Sequence, residues 1–240
     1  VISNNLANVN TTGFKRDRAV FEDLLYQNVR QAGGQTGANT QAPTGLMLGT
    51  GVRVVATEKQ HAQGNMVNTT NPLDLAIAGE GFFQVAQPDG TIGYTRDGNF
   101  KLSNTGQVVT ASGALLQPAI TIPTTASTVT FGRDGTVSIE LTAGGSQVIG
   151  QIQLARFVNP SGLEAKGQNL MKETPASGAP QVLQPGTTGA GSLMQGTLEA
   201  SNVNVVEEMV NMIETQRAYE INSKAISAVD GMLKFINNNL

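Results

Sequence analysis

The chain has 240 residues, 39% of them hydrophobic, and carries 15 basic and 18 acidic side chains for a net charge of −3. That length supports one or two domains with cores of their own. The weak charge excludes a basic footprint for nucleic acid, no apolar run approaches the roughly 20 residues that cross a membrane, and the lack of cysteine rules out disulfides, thiolate metal sites and cysteine nucleophiles together.

Charged residues make up only 14% of the chain, against about 25% in typical soluble proteins. A surface so poor in charge suits a chain that lives against copies of itself. Residues 1–15 show neither the basic leader nor the apolar stretch of a cleavable signal peptide. The first residue is Val, so a native chain starting upstream, then processed or trimmed, is expected.

Along the chain, residues 17–30 place Val20, Phe21, Leu24, Leu25 and Val29 at helical spacing, which predicts a helix there. Residues 31–50 are rich in Gly, Thr, Gln and Pro, the composition of a flexible linker. Leu46, Met47 and Leu48, followed by Val52, Val54 and Val55, are too apolar for a solvated tether. An extended hairpin pressed against a partner accounts for them better.

From about residue 73 to 198 the chain reads as β structure. Asp89-Gly90, Asp97-Gly98, Asp134-Gly135 and Asn104-Thr105-Gly106 punctuate alternating segments. Asp-Gly between such segments is a strong hairpin signal, because both residues tolerate positive φ. Strands are predicted over 91–94, 99–102, 107–110, 128–131, 136–141 and 150–157, making a compact antiparallel domain.

The last segment, residues 204–240, is nearly free of helix breakers. Asn204 with Glu207 three residues later reads as an N-cap and its reciprocal partner. Val205, Met212, Tyr219, Ile226, Leu233 and Leu240 then recur every seven residues. A repeat held that long predicts a helix packed lengthwise on another helix. Such a stripe has no partner until neighbours arrive. Gly231 is a weak point, costing roughly 1 kcal/mol relative to Ala inside a helix.

A search for chemistry finds little. His61 stands alone between polar neighbours and reads as surface decoration, so no histidine metal site or dyad exists. Asp89, Asp97 and Asp134 each precede Gly, which favours turns over paired catalytic carboxylates. Gly79-Glu80-Gly81 lacks the rest of a phosphate loop, and no nucleophile elbow is present.

Five stretches, in order, are similar to one family. Ser3-Asn4-Asn5-Leu6-Ala7-Asn8-Val9-Asn10-Thr11-Thr12-Gly13-Phe14-Lys15 resembles the N-terminal motif of bacterial flagellar rod and hook proteins. Asn71-Pro72-Leu73-Asp74-Leu75-Ala76-Ile77 with Gly81-Phe82-Phe83 resembles the entry to their β-domain, and Tyr94-Thr95-Arg96-Asp97-Gly98-Asn99-Phe100 its first long hairpin. Gly196-Thr197-Leu198-Glu199-Ala200-Ser201-Asn202-Val203-Asn204 and Gln216-Arg217-Ala218-Tyr219-Glu220 resemble the C-terminal return. Length and residues 31–57, with Leu46-Met47-Leu48-Gly49-Thr50-Gly51-Val52, point to the distal rod within that family. The amphipathic helix that precedes the N-terminal motif in the family is missing.

The resemblance implies an α+β fold. Terminal helices from residues 1–30 and 200–240 would form a coiled-coil-like core. Residues 31–72 would be an extended hairpin insertion, and residues 73–199 an antiparallel β-rich outer domain. It implies a non-enzymatic subunit that polymerises helically into a hollow drive shaft, with no cofactor, no metal and no catalytic residue. Val205, Met212, Tyr219, Ile226 and Leu233, with Leu46, Met47, Leu48, Val52 and Val54, are the expected subunit-interface residues. The implied partners are further copies of the chain, proximal rod proteins, the hook protein, P-ring and L-ring proteins, the flagellar type III export apparatus and the rod cap, without nucleic acid or membrane insertion. The implied location is the basal body, from the periplasm to the level of the outer membrane. A proximal rod or hook-type protein, or an extracellular β-rich adhesin, is the competing reading; the adhesin is disfavoured by the absence of Trp and the presence of only three Tyr.

Overall fold

The punctuation between residues 73 and 199 builds antiparallel strands, as expected. The computed structural model describes residues 1–33, 35–37, 40–41, 43–142 and 144–238. The fold is α+β: a short N-terminal helix, a series of strands, and one long C-terminal helix. The chain divides into two compact units, one of Asp17–Gln60 with Val1, the other of Ile2–Arg16 with His61–Leu240. Leu240, the end of the seven-residue series, lies outside the described residues.

The larger unit opens with α1 (Ile2–Ala7). The smaller unit then carries β1 (Asp17–Asp23), β2 (Tyr26–Arg30), β3 (Gln35–Gly37), β4 (Thr40–Gln41), β5 (Leu46–Gly49) and β6 (Val52–Lys59). It is a ladder of two-stranded pairings: β1 with β6, β2 with β5, and β3 with β4. The helix predicted over residues 17–30 is therefore not formed. The β-branched run Val52, Val54 and Val55 lies after the turn at Gly49-Thr50-Gly51 and supplies a ladder partner, with Phe21 opposite Val54. Tertiary pairing overrides a helical spacing that fits a bulged strand equally well. Three ion pairs cross from β1 to β6: Asp17–Lys59 at 2.7 Å, Arg18–Glu58 at 3.2 Å, and Glu22–Arg53.

The larger unit continues with β7 (Met66–Asn68), β8 (Leu75–Ala78), β9 (Phe82–Ala86), β10 (Ile92–Thr95), β11 (Phe100–Leu102), β12 (Val108–Thr110) and β13 (Leu115–Gln117). Next come β14 (Ala126–Phe131), β15 (Thr136–Leu141), β16 (Ser146–Gln151), β17 (Leu154–Arg156), β18 (Glu164–Gly167) and β19 (Leu170–Lys172). The last strands are β20 (Gln181–Leu183), β21 (Ser192–Gln195) and β22 (Thr197–Glu199), followed by α2 (Val205–Asn238). The main sheet runs β11-β12-β13-β9-β10-β19-β18, with β17 also pairing β9 and β20. The three-stranded meander β14-β15-β16 and the pairs β8–β21 and β7–β22 complete the unit.

The predicted strand over 150–157 splits into the end of β16 and β17. The turn at Asp89-Gly90 joins the hairpin β9–β10, and Asp134-Gly135 joins β14–β15. Asp97-Gly98 is different: β10 and β11 pair with other strands, so no hairpin forms there. A Cβ on Gly98 would lie 1.5 Å from the Leu75 carbonyl oxygen, so glycine permits a close backbone crossing.

Strand β9 is buried on both faces. Phe83 and Val85 join Leu75, Phe100, Leu116, Ile139 and Leu154 in the main core, with Phe83 edge-on to Phe100 at 5.1 Å. Phe82 points the other way, into a second cluster with Tyr94, Phe157, Leu163 and Met171. His61 is half-buried and edge-on to Phe82 at 5.6 Å, so it is packed and not the surface decoration its polar neighbours suggested.

Candidate functional site

The N-terminal motif is folded onto the β-domain by polar contacts. Thr12 donates to Asp97 Oδ1 at 2.9 Å, the Gly13 amide donates to the Glu199 carbonyl at 2.8 Å, and Asn169 Nδ2 donates to the Thr12 carbonyl at 3.0 Å. Gly13 holds φ at +67°, and a Cβ there would stand 2.6 Å from the Asp97 nitrogen. No other residue fits that position without displacing the backbone.

This turn delivers Lys15 into the interior. Its Nζ lies 2.5 Å from Glu199 Oε1, both side chains fully buried, and donates to the Ala62 carbonyl at 2.8 Å. Arg96 reaches the same carboxylate at 3.3 Å, and the Gly64 amide donates to it at 2.9 Å. Burial pulls the Lys15 ammonium below its ordinary range, Glu199 opposes that, and the Arg96 charge adds to the lowering. Burial likewise lowers the Arg96 guanidinium, against the pull of Glu199. One carboxylate thus holds two buried cations, and its loss leaves both uncompensated.

Sequence reading did not single out this cluster, although a signal was present. Residues 1–14 and 174–198 contain no Asp, Glu, Lys or Arg, so Lys15 and Glu199 each end a long uncharged run. An isolated charge beside such a run is a candidate buried partner.

Next to the cluster begins the long helix. Asn204 caps it, accepting from the amides of Val206 at 3.0 Å and Glu207 at 3.4 Å. Glu207 turns to Arg16 at 2.8 Å instead of back to the cap. Of the residues read as a seam on α2, Val205 is 39% exposed, Tyr219 77%, Ile226 64% and Leu233 59%, while Met212 is half-buried. They share one side of the helix, but they are not its whole apolar surface. Phe235, Met232, Ile236 and Val229 are exposed too. At about 100° per residue, Phe235 and Leu233 stand about 160° apart, with Val229, Ile236 and Met232 between them. The apolar arc therefore covers close to half the circumference, wider than the stripe a single neighbour needs.

Leu46, Met47 and Leu48 lie on β5, opposite Arg30, Asn28 and Gln27 of β2. Val52 and Val54 lie on β6, opposite Asp23 and Phe21 of β1. All five are about half exposed or more, as is Phe21. Burying a side chain of this size contributes roughly 1.5–3 kcal/mol, a contribution that these half-exposed side chains realise only in part within the chain. Asp89 and Asp134 are turn residues: each accepts from the amide and hydroxyl of the threonine two residues on, which holds its carboxyl below the usual range. Among the described residues, no group of three or more His, Asp or Glu is placed to hold a metal ion, and no helix is long and apolar enough to cross a membrane.

Known families match the chain at three places. "Flagella basal body rod protein" matches residues 1–15, "Flagellar hook protein FlgE/F/G D1 domain" residues 76–139, and "Flagellar basal body rod FlgEFG protein C-terminal" residues 194–239. These cover the docked N-terminal turn, the core of the main sheet and the long helix. Together they define the class, that of flagellar rod and hook axial proteins. Among individual relatives, the flagellar basal-body rod protein FlgG of Buchnera aphidicola (subspecies Acyrthosiphon pisum) is 56% identical over 98% of this chain and 90% of its own length. FlgG of Caulobacter vibrioides is 49% identical, again over 98% and 90%. FlgF of the same organism is 38% identical over 92% of this chain and 82% of its own length. The chain belongs to the FlgG family of flagellar basal-body rod proteins.

Proposed function

We propose that this protein is a structural subunit of the distal rod of the bacterial flagellar basal body and catalyses no reaction. The observation that carries the reading is the near-complete match to FlgG proteins, joined to a 34-residue helix whose apolar side chains are left uncovered. In this reading the subunits polymerise helically. The α2 helices pack lengthwise into a coiled-coil-like core around a channel, and residues 73–199 lie outside them. The broad apolar arc supports contact with more than one neighbouring helix. The shaft would carry torque from the motor to the hook, joined to proximal rod and hook proteins and turning inside the P and L rings. Its subunits would arrive through the flagellar type III apparatus beneath a rod cap.

The exposed ladder supports a second element of this reading. Residues 31–57, with Leu46, Met47, Leu48, Val52 and Val54, would wedge against axial neighbours and block the sliding that bending requires. The test of polymerisation is Leu233→Asp, which buries an unpaired charge in the helical core and is expected to abolish rod assembly in cells. Normal rods and motility in that variant would overturn it. For stiffness, an in-frame deletion of residues 34–49 is expected to give curved or flexible rods in electron micrographs of isolated basal bodies. Straight rods with normal rotation would rule the wedge out.

A further inference from the structure

Helix α2 carries two apolar faces on nearly opposite sides. At about 100° per residue, Val206, Met209, Val210 and Ile213 fall within an arc of about 100°. Ile226, Val229, Met232, Leu233 and Ile236 fall within another arc, centred about 150° away from the first. All nine side chains are exposed. Winding the helix at the tighter pitch of a supercoil shifts that separation by only about 10°. The seven-residue series Val205, Met212, Tyr219, Ile226 and Leu233 runs between the two arcs, so a count by sevens registers one seam where there are two faces.

Charge changes sides as well. Glu207 and Glu214 occupy the side of the second face, ahead of it along the axis, and Arg217, Glu220 and Lys224 occupy the side of the first face, beyond it. Each apolar patch therefore stops where charged residues begin. A helix with one partner keeps its polar residues on one side throughout. The chain's own β-domain does not cover the first face. Glu208 is buried and Asn211 and Met212 are half-buried, and these three lie about 160° round the helix from the first face. Its start thus meets the β-domain by a polar side, and the first apolar face is turned away.

Two different faces have a consequence for symmetry. A face that pairs with its own copy makes an isologous contact, which closes as a dimer. Separate faces on opposite sides let each copy meet one copy on either side, a heterologous contact that can propagate as an open helix. We propose that α2 is held in the rod between two further copies of this chain, one seated on Val206, Met209, Val210 and Ile213, the other on Ile226, Val229, Met232, Leu233 and Ile236. The proposal rests on the rod reading. It requires no order in the helix before assembly, because a lone helix is marginal in water and both faces are covered as neighbours arrive.

Photo-crosslinking in assembled rods tests it. p-Benzoylphenylalanine replaces Val210, Met232 or both in a minority of copies diluted into native ones, and purified basal bodies are irradiated. Each single replacement should give dimers and nothing larger. The double replacement should give trimers, since one labelled copy is then joined to a native copy on each side. Val206 and Val229, exposed on the same two faces, serve as the second pair if bulk at the first pair blocks assembly. A double replacement that stops at dimers places both faces on one partner and overturns the proposal. Capture confined to the labelled copy itself, or only of a different protein, at either position overturns it too. Absence of the native chain from purified basal bodies would bring down the rod reading, and this proposal with it, before any irradiation.

Discussion

Strand β9 and helix α2 are both rich in apolar side chains, and they use them in opposite ways. In β9, Phe82, Phe83 and Val85 are at most 3% exposed, covered by strands of the same chain. In α2, Val206, Ile213, Ile226, Leu233 and Phe235 are all 47% exposed or more. A core made within one chain is complete before association. The broad apolar surface of α2 is left open within the chain, and in the proposed rod it is covered only by association.

The sharpest test of that contrast pairs one truncation from each region. Phe83→Ala should destabilise the monomer by about 3–5 kcal/mol, the cost of a large cavity in a closed core, read by chemical denaturation. Leu233→Ala should change monomer stability by no more than about 0.5 kcal/mol, as for an exposed site, while weakening polymerisation measured by sedimentation. A Leu233→Ala monomer as damaged as Phe83→Ala would show that α2 is buried within its own chain.

Glu199→Ala belongs with the closed region. Removing the shared carboxylate strands two buried cations, and a loss of about 3–5 kcal/mol is expected in the same denaturation experiment. Smaller is the effect of Gly231→Ala. A Cβ there meets nothing within 4 Å, so the change should gain about 1 kcal/mol of helix stability, visible as slower amide exchange around residue 231.

The last test reads ionisation and not folding energy. Burial, then the Glu173 carboxylate beside it, raises the Tyr94 phenol from 10.0 to about 12. A folded-state pKa above the unfolded one means a contribution fully present below pH 10 and lost as pH rises through about 12. The absorbance difference between the native protein and Tyr94→Phe should therefore titrate near 12. A midpoint near 10 would place this tyrosine in water.

Where local signals and the final contacts agreed, the sequence was readable. Asn204 capped the helix because a side-chain oxygen acts within three residues, and Asp89-Gly90 and Asp134-Gly135 formed hairpins because each turn lies between strands that pair. Asp97-Gly98 looked the same, but there the partner strands lie elsewhere in the sheet. Residues 17–30 failed for a related reason: their partners, β5 and β6, come after a weakly patterned stretch. The apolar positions on α2 were legible as a seam, but its width depends on residues outside a seven-residue count, such as Phe235. The Lys15–Glu199–Arg96 cluster left no periodicity, because it pairs charges between distant segments, and its one sequence signal was the isolation of Lys15 and Glu199 beside uncharged runs.

Lys15 and Glu199 are 184 positions apart, and that distance bears on when folding can finish. Closing so long a loop gives nothing back until both ends are present, and contacts of such separation form late and slowly. A chain released from its N-terminal end would hold Lys15 and then Arg96 without their shared anion for most of its length. The junction therefore acts as a check on length. A chain ended at Leu198 should stay open to protease across the N-terminal turn, whereas the full chain should be protected there.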